Sequence, residues 1–112
     1  MNKTFFVGNL ATAPEPFGKD DNIAGISFRI AVDSAVYNAD TQKWEQQADY
    51  FDCTLYGAKR ASALLAFLHK GQHVSIEAHA RQETWEGSDG KRNSRIRFIV
   101  DDIVLPPRPK SA

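Results

Sequence analysis

The stretch Tyr50–Gly57, YFDCTLYG, decides how the rest of the chain is read. As an extended strand it has two faces, with Tyr50, Asp52, Thr54 and Tyr56 on one and Phe51, Cys53 and Leu55 on the other. One face is apolar throughout and fits a core. The other sets two tyrosines among polar neighbours, offering flat rings on a wet surface. Alone, this describes an ordinary half-exposed strand. Its place among the flanking segments gives it weight.

Upstream, Gly25–Asp33, GISFRIAVD, alternates Ile26, Phe28, Ile30 and Val32 against Ser27, Arg29, Ala31 and Asp33, the clearest strand pattern in the chain. Lys3–Leu10 supplies an earlier strand with Phe5, Phe6, Val7 and Leu10, and Gly8 marks a bend or bulge. Pro14, Pro16, Gly18 and the polar run 19–22 indicate a loop or irregular edge between the two. From Ser34 to Ala48 the residues turn polar except for Val36, Tyr37 and Trp44, which predicts a long loop or extended hairpin.

Downstream the period changes. Ala61, Leu64, Leu65 and Leu68 recur at helical spacing over about three turns, and Gly71 stands where a left-handed cap is expected. Alternation returns over 72–84, with Val74, Ile76, Ala78 and Ala80 inward. Trp85–Arg92, containing Asp89-Gly90, carries a hairpin signal. The last strand, from Asn93 to about Leu105, places Ile96, Phe98 and Val100 inside and Arg95, Arg97 and Ile99 outside. Three strands, one helix and two further strands predict an all-β fold. The expected form is a five-stranded Greek-key barrel of the oligonucleotide-binding (OB) type, with its α-helix between strands 3 and 4. The barrel is expected over 1–105, followed by a short proline-rich tail at 106–112. An α+β sandwich is the alternative.

The 112 residues suffice for one hydrophobic core, and 42% hydrophobic with 25% charged content is ordinary for a globular domain. The formal net charge of zero argues against an indiscriminate polyanion binder, so nucleic-acid binding must rest on local cations and non-ionic contacts. A single cysteine, Cys53, suits a reducing compartment, and the cytoplasm is the expected location. The opening MNKTFFVGNL is too short in apolar residues for a signal peptide and no run has the length to span a bilayer, so no membrane association is expected.

Five aromatics fall outside the predicted core: Tyr37, Trp44, Tyr50, Tyr56 and Trp85. Arg29 and Arg81 lie on polar strand faces, and Lys91, Arg92, Arg95 and Arg97 form a run without an acid. Such a run is ordinarily a solvated face. Interleaved with rings it matches single-stranded nucleic acid, which presents a π-face and a charge at every nucleotide, and stacking is worth about 1–3 kcal/mol per base. His69, His73 and His79 share no metal-ligand spacing, and the pairs Asp20, Asp21 and Asp101, Asp102 have no lysine or histidine arranged around them for a two-metal nuclease. Gly57-Ala58-Lys59 lacks the spacing of a phosphate loop, and Cys53 has no histidine near it in sequence. No enzymatic activity, metal or cofactor is expected.

Four segments resemble the bacterial single-stranded DNA-binding protein family. They are NKTFFVGNL at 2–10, GISFRIAVDS at 25–34, ADYFDCTLYG at 48–57 and HKGQHVSIEAHARQETW at 69–85. The resemblance covers Asn2–Leu105. It implies an OB barrel, assembly as a homotetramer and wrapping of single-stranded DNA during replication, recombination and repair. Tyr50 takes the place of the family's stacking tryptophan and Tyr56 that of its phenylalanine. Trp85 matches a family tryptophan, and Tyr37 lies at or beside another. Lys70 and Arg81 match basic positions. The cations expected to meet phosphates are Arg29, Lys43, Lys70, Arg81, Lys91 and Arg97, and the rings expected to stack bases are Tyr37, Trp44, Tyr50, Tyr56 and Trp85.

Three departures qualify the resemblance. Phe51, inward by alternation, replaces a histidine near the family's subunit contact. Glu83 and Thr84 replace a basic pair. The closing PPRPKSA is basic and has none of the family's acidic tip, so recruitment of replication proteins through such a tip is not expected. Either a piece of a longer chain or a naturally short paralogue, plasmid or phage form would read this way. A primosome-like OB module that binds a partner protein, with weak nucleic-acid binding, is the competing expectation, and a small barrel nuclease a distant third.

Overall fold

The computed structural model describes residues 1–106. Six strands and one helix run in the order β1 (Thr4–Leu10), β2 (Glu15–Phe17), β3 (Gly25–Asn38), β4 (Lys43–Tyr56), α1 (Ala58–Leu65), β5 (His73–Glu86) and β6 (Arg92–Val104). The sheet order β1-β5-β6-β4-β3-β2 is closed by a β1–β3 pairing, so five strands form a barrel and the three-residue β2 is appended to β3. Helix α1 lies between the third and fourth barrel strands, as expected of an OB barrel. Pro16 within β2 and Pro14 just before it keep this strand short: proline cannot donate to a ladder and settles on an edge.

Closure depends on two seams. β4 and β6 run parallel and pair at Cys53↔Phe98 and Thr54↔Ile99. β1 reaches β3 at Asn9↔Ala31 and Leu10↔Ile30. Gly8 permits the second seam, because a Cβ there would run into the Ala31 carbonyl.

The core follows the alternation. Phe6, Leu10, Ile26, Phe28, Ile30, Cys53, Leu55, Val74, Ile76, Ala78 and Val100 are buried, with Ala61 and Leu68 closing one end. Phe51 turns inward, its ring stacked on Phe6 at 4.6 Å and edge-on to Phe98 at 5.5 Å. Burial, reinforced by the neighbouring Asp52 carboxylate, pushes the Cys53 thiol up to about 12.

Several expectations need correction. The helix spans 8 residues, about two turns, and Leu68 reaches the core from the turn beyond it. Gly71 has a left-handed φ of 90° but does not cap the helix. Its N–H donates to the Leu10 carbonyl, tying the α1–β5 turn to β1. Of the two forms expected for the polar segment 34–48, loop or extended hairpin, the hairpin is the one found, as the ends of β3 and β4 paired out to Asn38↔Lys43. Ile96 is not a core residue: it is 60% exposed, because at Gln82↔Ile96 the β5–β6 ribbon has already left the barrel. The tail expected at 106–112 lies, apart from Pro106, outside the described residues.

Both long hairpins thus project from the barrel. They raise the radius of gyration to 16.9 Å, against about 13 Å for a compact domain of this length. No residue of 33–49 or 81–97 is buried.

Candidate nucleic-acid interface

The register of the hairpins assigns the exposed side chains to faces. Across β3 and β4 the pairs Arg29↔Asp52, Ala31↔Tyr50 and Tyr37↔Trp44 lie two-residue steps apart, so all six share the face that is outside the barrel, together with Tyr56. Tyr37 and Trp44 form a cross-strand pair near the tip of the arm, ring centroids 5.4 Å apart at 68°. Both remain exposed, at 50% and 70%. Tyr50 and Tyr56 are exposed along the same ribbon. Phe17 of β2 meets Tyr56 edge-on at 5.7 Å and holds that ring against the sheet.

The second ribbon continues the face. Arg81↔Arg97, Glu83↔Arg95 and Trp85↔Asn93 share a side, and the Thr54↔Ile99 pairing joins that side to the outer face of β4. Arg95 lies over the Trp85 ring, 5.5 Å from its centroid. Eight of the residues singled out from the sequence therefore occupy one outer face: Arg29, Tyr37, Trp44, Tyr50, Tyr56, Arg81, Trp85 and Arg97.

Three others sit elsewhere. Lys43, opposite Asn38, falls on the reverse side of the β3–β4 arm, one residue out of register with Trp44. Lys91 belongs to the turn between β5 and β6, where its N–H donates to Asp89 Oδ1. Lys70 is in the α1–β5 turn, beside the Gly71 contact with the end of β1.

Charge on the face is largely matched within the protein. Arg29 Nε donates to Asp52 Oδ1 at 3.0 Å, and its backbone N–H to Thr12 Oγ1. Arg95 Nε donates to Glu83 Oε2 at 2.9 Å. Arg97 Nη1 donates to Thr54 Oγ1 at 2.7 Å, which explains why a threonine on the outer face is buried. Arg97 Nε lies 3.1 Å from Glu83 Oε1, yet its N–H is not directed at that oxygen and is buried without a hydrogen-bond partner among the described residues. Glu83 thus sits between two arginines. By contrast, Lys43, Lys70, Arg81 and Lys91 have no carboxylate within 4.0 Å among the described residues.

A cleft of about 280 Å³ opens on this face where the two arms diverge. Arg29, Asp52, Arg95 and Arg97 line it with Thr12, Ser27 and Glu15. Asp52 and Glu83 were not among the site residues expected from the sequence, and Arg95 entered only as part of the basic run 91–97. Their signal is a cross-strand one, an acid facing one or two arginines, and it becomes readable only with the register. No group of three His, Cys, Asp or Glu side chains able to hold a metal occurs among the described residues. No helix among them is long and apolar enough to cross a membrane.

Comparison with known proteins places this architecture. A model of the "Single-strand binding protein family" matches residues 1–106. A single-stranded DNA-binding protein of Aquifex aeolicus is 30% identical over 112 residues, all of this chain and 74% of its relative. A single-stranded DNA-binding protein of Bacillus cereus is 30% identical over 109 residues, 96% of this chain and 62% of the relative's own length. The solved structure of a Plasmodium falciparum SSB complex with ssDNA superposes with a TM-score of 0.81 over 96% of both chains, at 14% identity, a likeness of fold. The family is one of binding proteins rather than enzymes. With its barrel matched from end to end by the family model and by a relative at this level of identity, the chain belongs to the single-strand binding protein family.

Proposed function

We propose that this protein binds single-stranded DNA without regard to sequence and protects it during replication, recombination and repair. The observation that carries the reading is the single outer face formed by both hairpin arms, on which Tyr37, Trp44, Tyr50, Tyr56 and Trp85 are exposed among arginines. Bases unstacked from a strand lie on the rings, and Arg29, Arg81 and Arg97 meet phosphates, with Lys43, Lys70 and Lys91 reaching the strand as it leaves the face. Stacking supplies most of the affinity, since each base contributes about 1–3 kcal/mol without demanding net charge. The names of the relatives support the ligand, and no catalytic step is assigned.

A homotetramer accompanies this reading. Phe5 and Val7 are 72% and 57% exposed on β1 and line an apolar surface with Val104, the kind of patch that self-association covers. The one thiol, buried and unpaired, suits a reducing cytoplasm. Titration with oligo-dT at low salt tests the function, because Trp44 and Trp85 both lie on the face. Quenching of tryptophan fluorescence is expected, and its absence sinks the reading. Light scattering tests assembly, where a monomer counts against it. The neutralised arginines favour a second reading, a protein-interaction barrel with weak DNA binding. That reading prevails if Tyr50→Ala and Trp85→Ala leave DNA binding intact while assembly with a partner protein fails.

A further inference from the structure

We infer that Asp52 and Glu83 act as built-in counter-ions that compete with DNA phosphate for Arg29, Arg95 and Arg97, and so set the affinity and salt dependence of the interface. The inference rests on the single-strand binding reading and refines it. Three arginines converge on the cleft between the arms, a concave site between the β3–β4 and β5–β6 ribbons. Two carboxylates hold them there in the absence of ligand, Asp52 on Arg29 at 3.0 Å and Glu83 between Arg95 at 2.9 Å and Arg97 at 3.1 Å.

The Arg97 Nε–H is a donor that a phosphate oxygen reaches only when the Glu83 carboxylate moves aside. It is buried and hydrogen-bonds to no described residue, although a carboxylate lies close by. A donor held out of line with its partner retains an unmet bond. The side chain is only 19% exposed and its far end is anchored on Thr54, so the guanidinium is held in place before any ligand arrives. A phosphodiester seated in the cleft gains arginine contacts only by taking them from Asp52 and Glu83. Each displaced carboxylate then draws a solution cation, which offsets one released by the phosphate. Salt dependence is therefore weaker than the arginines on the face would give if unpaired.

The experiment compares the wild-type protein with Asp52→Asn and Glu83→Gln in oligo-dT titrations over a salt series. Glu45→Gln serves as a control, because Glu45 is an exposed acid on the reverse side of the β3–β4 arm, where it accepts from Asn38 Nδ2. Either site variant should bind about 2- to 5-fold more tightly at low salt, the range spanned by releasing a surface ion pair. Each should also steepen the slope of log K against log salt by about 0.7, one counter-ion for the one carboxylate removed. Glu83→Gln frees two arginines and should show the larger gain in affinity, with the same change in slope. Unchanged affinity and slope in both site variants overturn the inference, as does an equal gain in Glu45→Gln, which would make the effect one of net charge alone. Thermal melts identify any variant that fails to fold, and the two carboxylates provide independent tests. Failure of the parent reading looks different, since the wild-type protein itself would then give no quenching.

Discussion

Replacing Trp44 with alanine separates ring stacking from charge on the proposed interface. The side chain is 70% exposed near the tip of an arm and its only aromatic partner among the described residues is Tyr37, 5.4 Å away. Stability should stay within about 0.5 kcal/mol of wild type, as for other surface positions away from a core. Loss of one stacked base should cost about 1–3 kcal/mol, or roughly 5- to 150-fold in Kd. Trp85 lies on the other arm with Arg95 as its neighbour, so the two sites share no described partner and their losses should add to about 2–6 kcal/mol in the double variant. Tyr37→Ala with Trp44→Ala should be less than additive, because each ring orients the other. Anisotropy of a labelled oligo-dT measures Kd without relying on the removed fluorophore. The salt slope should not move, since no cation is lost. A Kd within twofold of wild type for Trp44→Ala refutes the stacking argument, and an altered slope refutes its separation from charge.

Three further predictions concern the barrel. Leu55→Ala removes a side chain with 0% exposure from the strand at the centre of the fold and should cost about 2–5 kcal/mol in denaturant unfolding, with a lower midpoint. Gly8→Ala should destabilise the β1–β3 seam, since its Cβ meets the Ala31 carbonyl; a wild-type melting temperature would show that the seam yields. Cys53 bears on alkaline pH. Its thiol, ordinarily near 9.0, is pushed up to about 12 by burial, so the folded state holds the proton more tightly than the unfolded chain. This stabilisation is fully present below pH 9 and is lost as the pH rises from 9 towards 12, on the order of 1 kcal/mol for each pH unit. Unfolding free energies of the wild-type protein and Cys53→Ala should converge between pH 8 and 10, and parallel curves contradict the linkage.

The strands were readable in the sequence because burial on one side of a barrel imposes a period of two. The same period hides where the barrel ends. Ile96 has the parity of Phe98 and Val100 but lies on the projecting ribbon, and no local pattern distinguishes it. Thr54 appeared solvated because its cover, Arg97, comes from a strand 43 residues away. Lys43 was expected to meet phosphates with the other cations, yet adjacent residues in a strand point to opposite faces, so it lies on the side of the arm away from Trp44. The pairing of Glu83 with Arg95 and Arg97 required the β5–β6 register, which the turn at 87–91 sets. Aromatic positions were the most legible part of the candidate site, since exposed rings stand out by residue type alone. Phe51, which alternation pointed inward, does pack on Phe6 and Phe98.

The arms, built of 33–49 and 81–97 without a buried residue, have no core of their own to hold them closed. Their backbone hydrogen bonds break by local opening, at a free energy below that of unfolding the barrel. The face proposed to meet the ligand is therefore drawn from the least protected part of the molecule. Amide hydrogen exchange should be fast towards Asn38 and Lys43 and slow at Ile30 and Leu55. A bound strand that bridges both arms would close that gap, spending part of its stacking energy on order while letting one surface follow the uneven path of an unpaired chain.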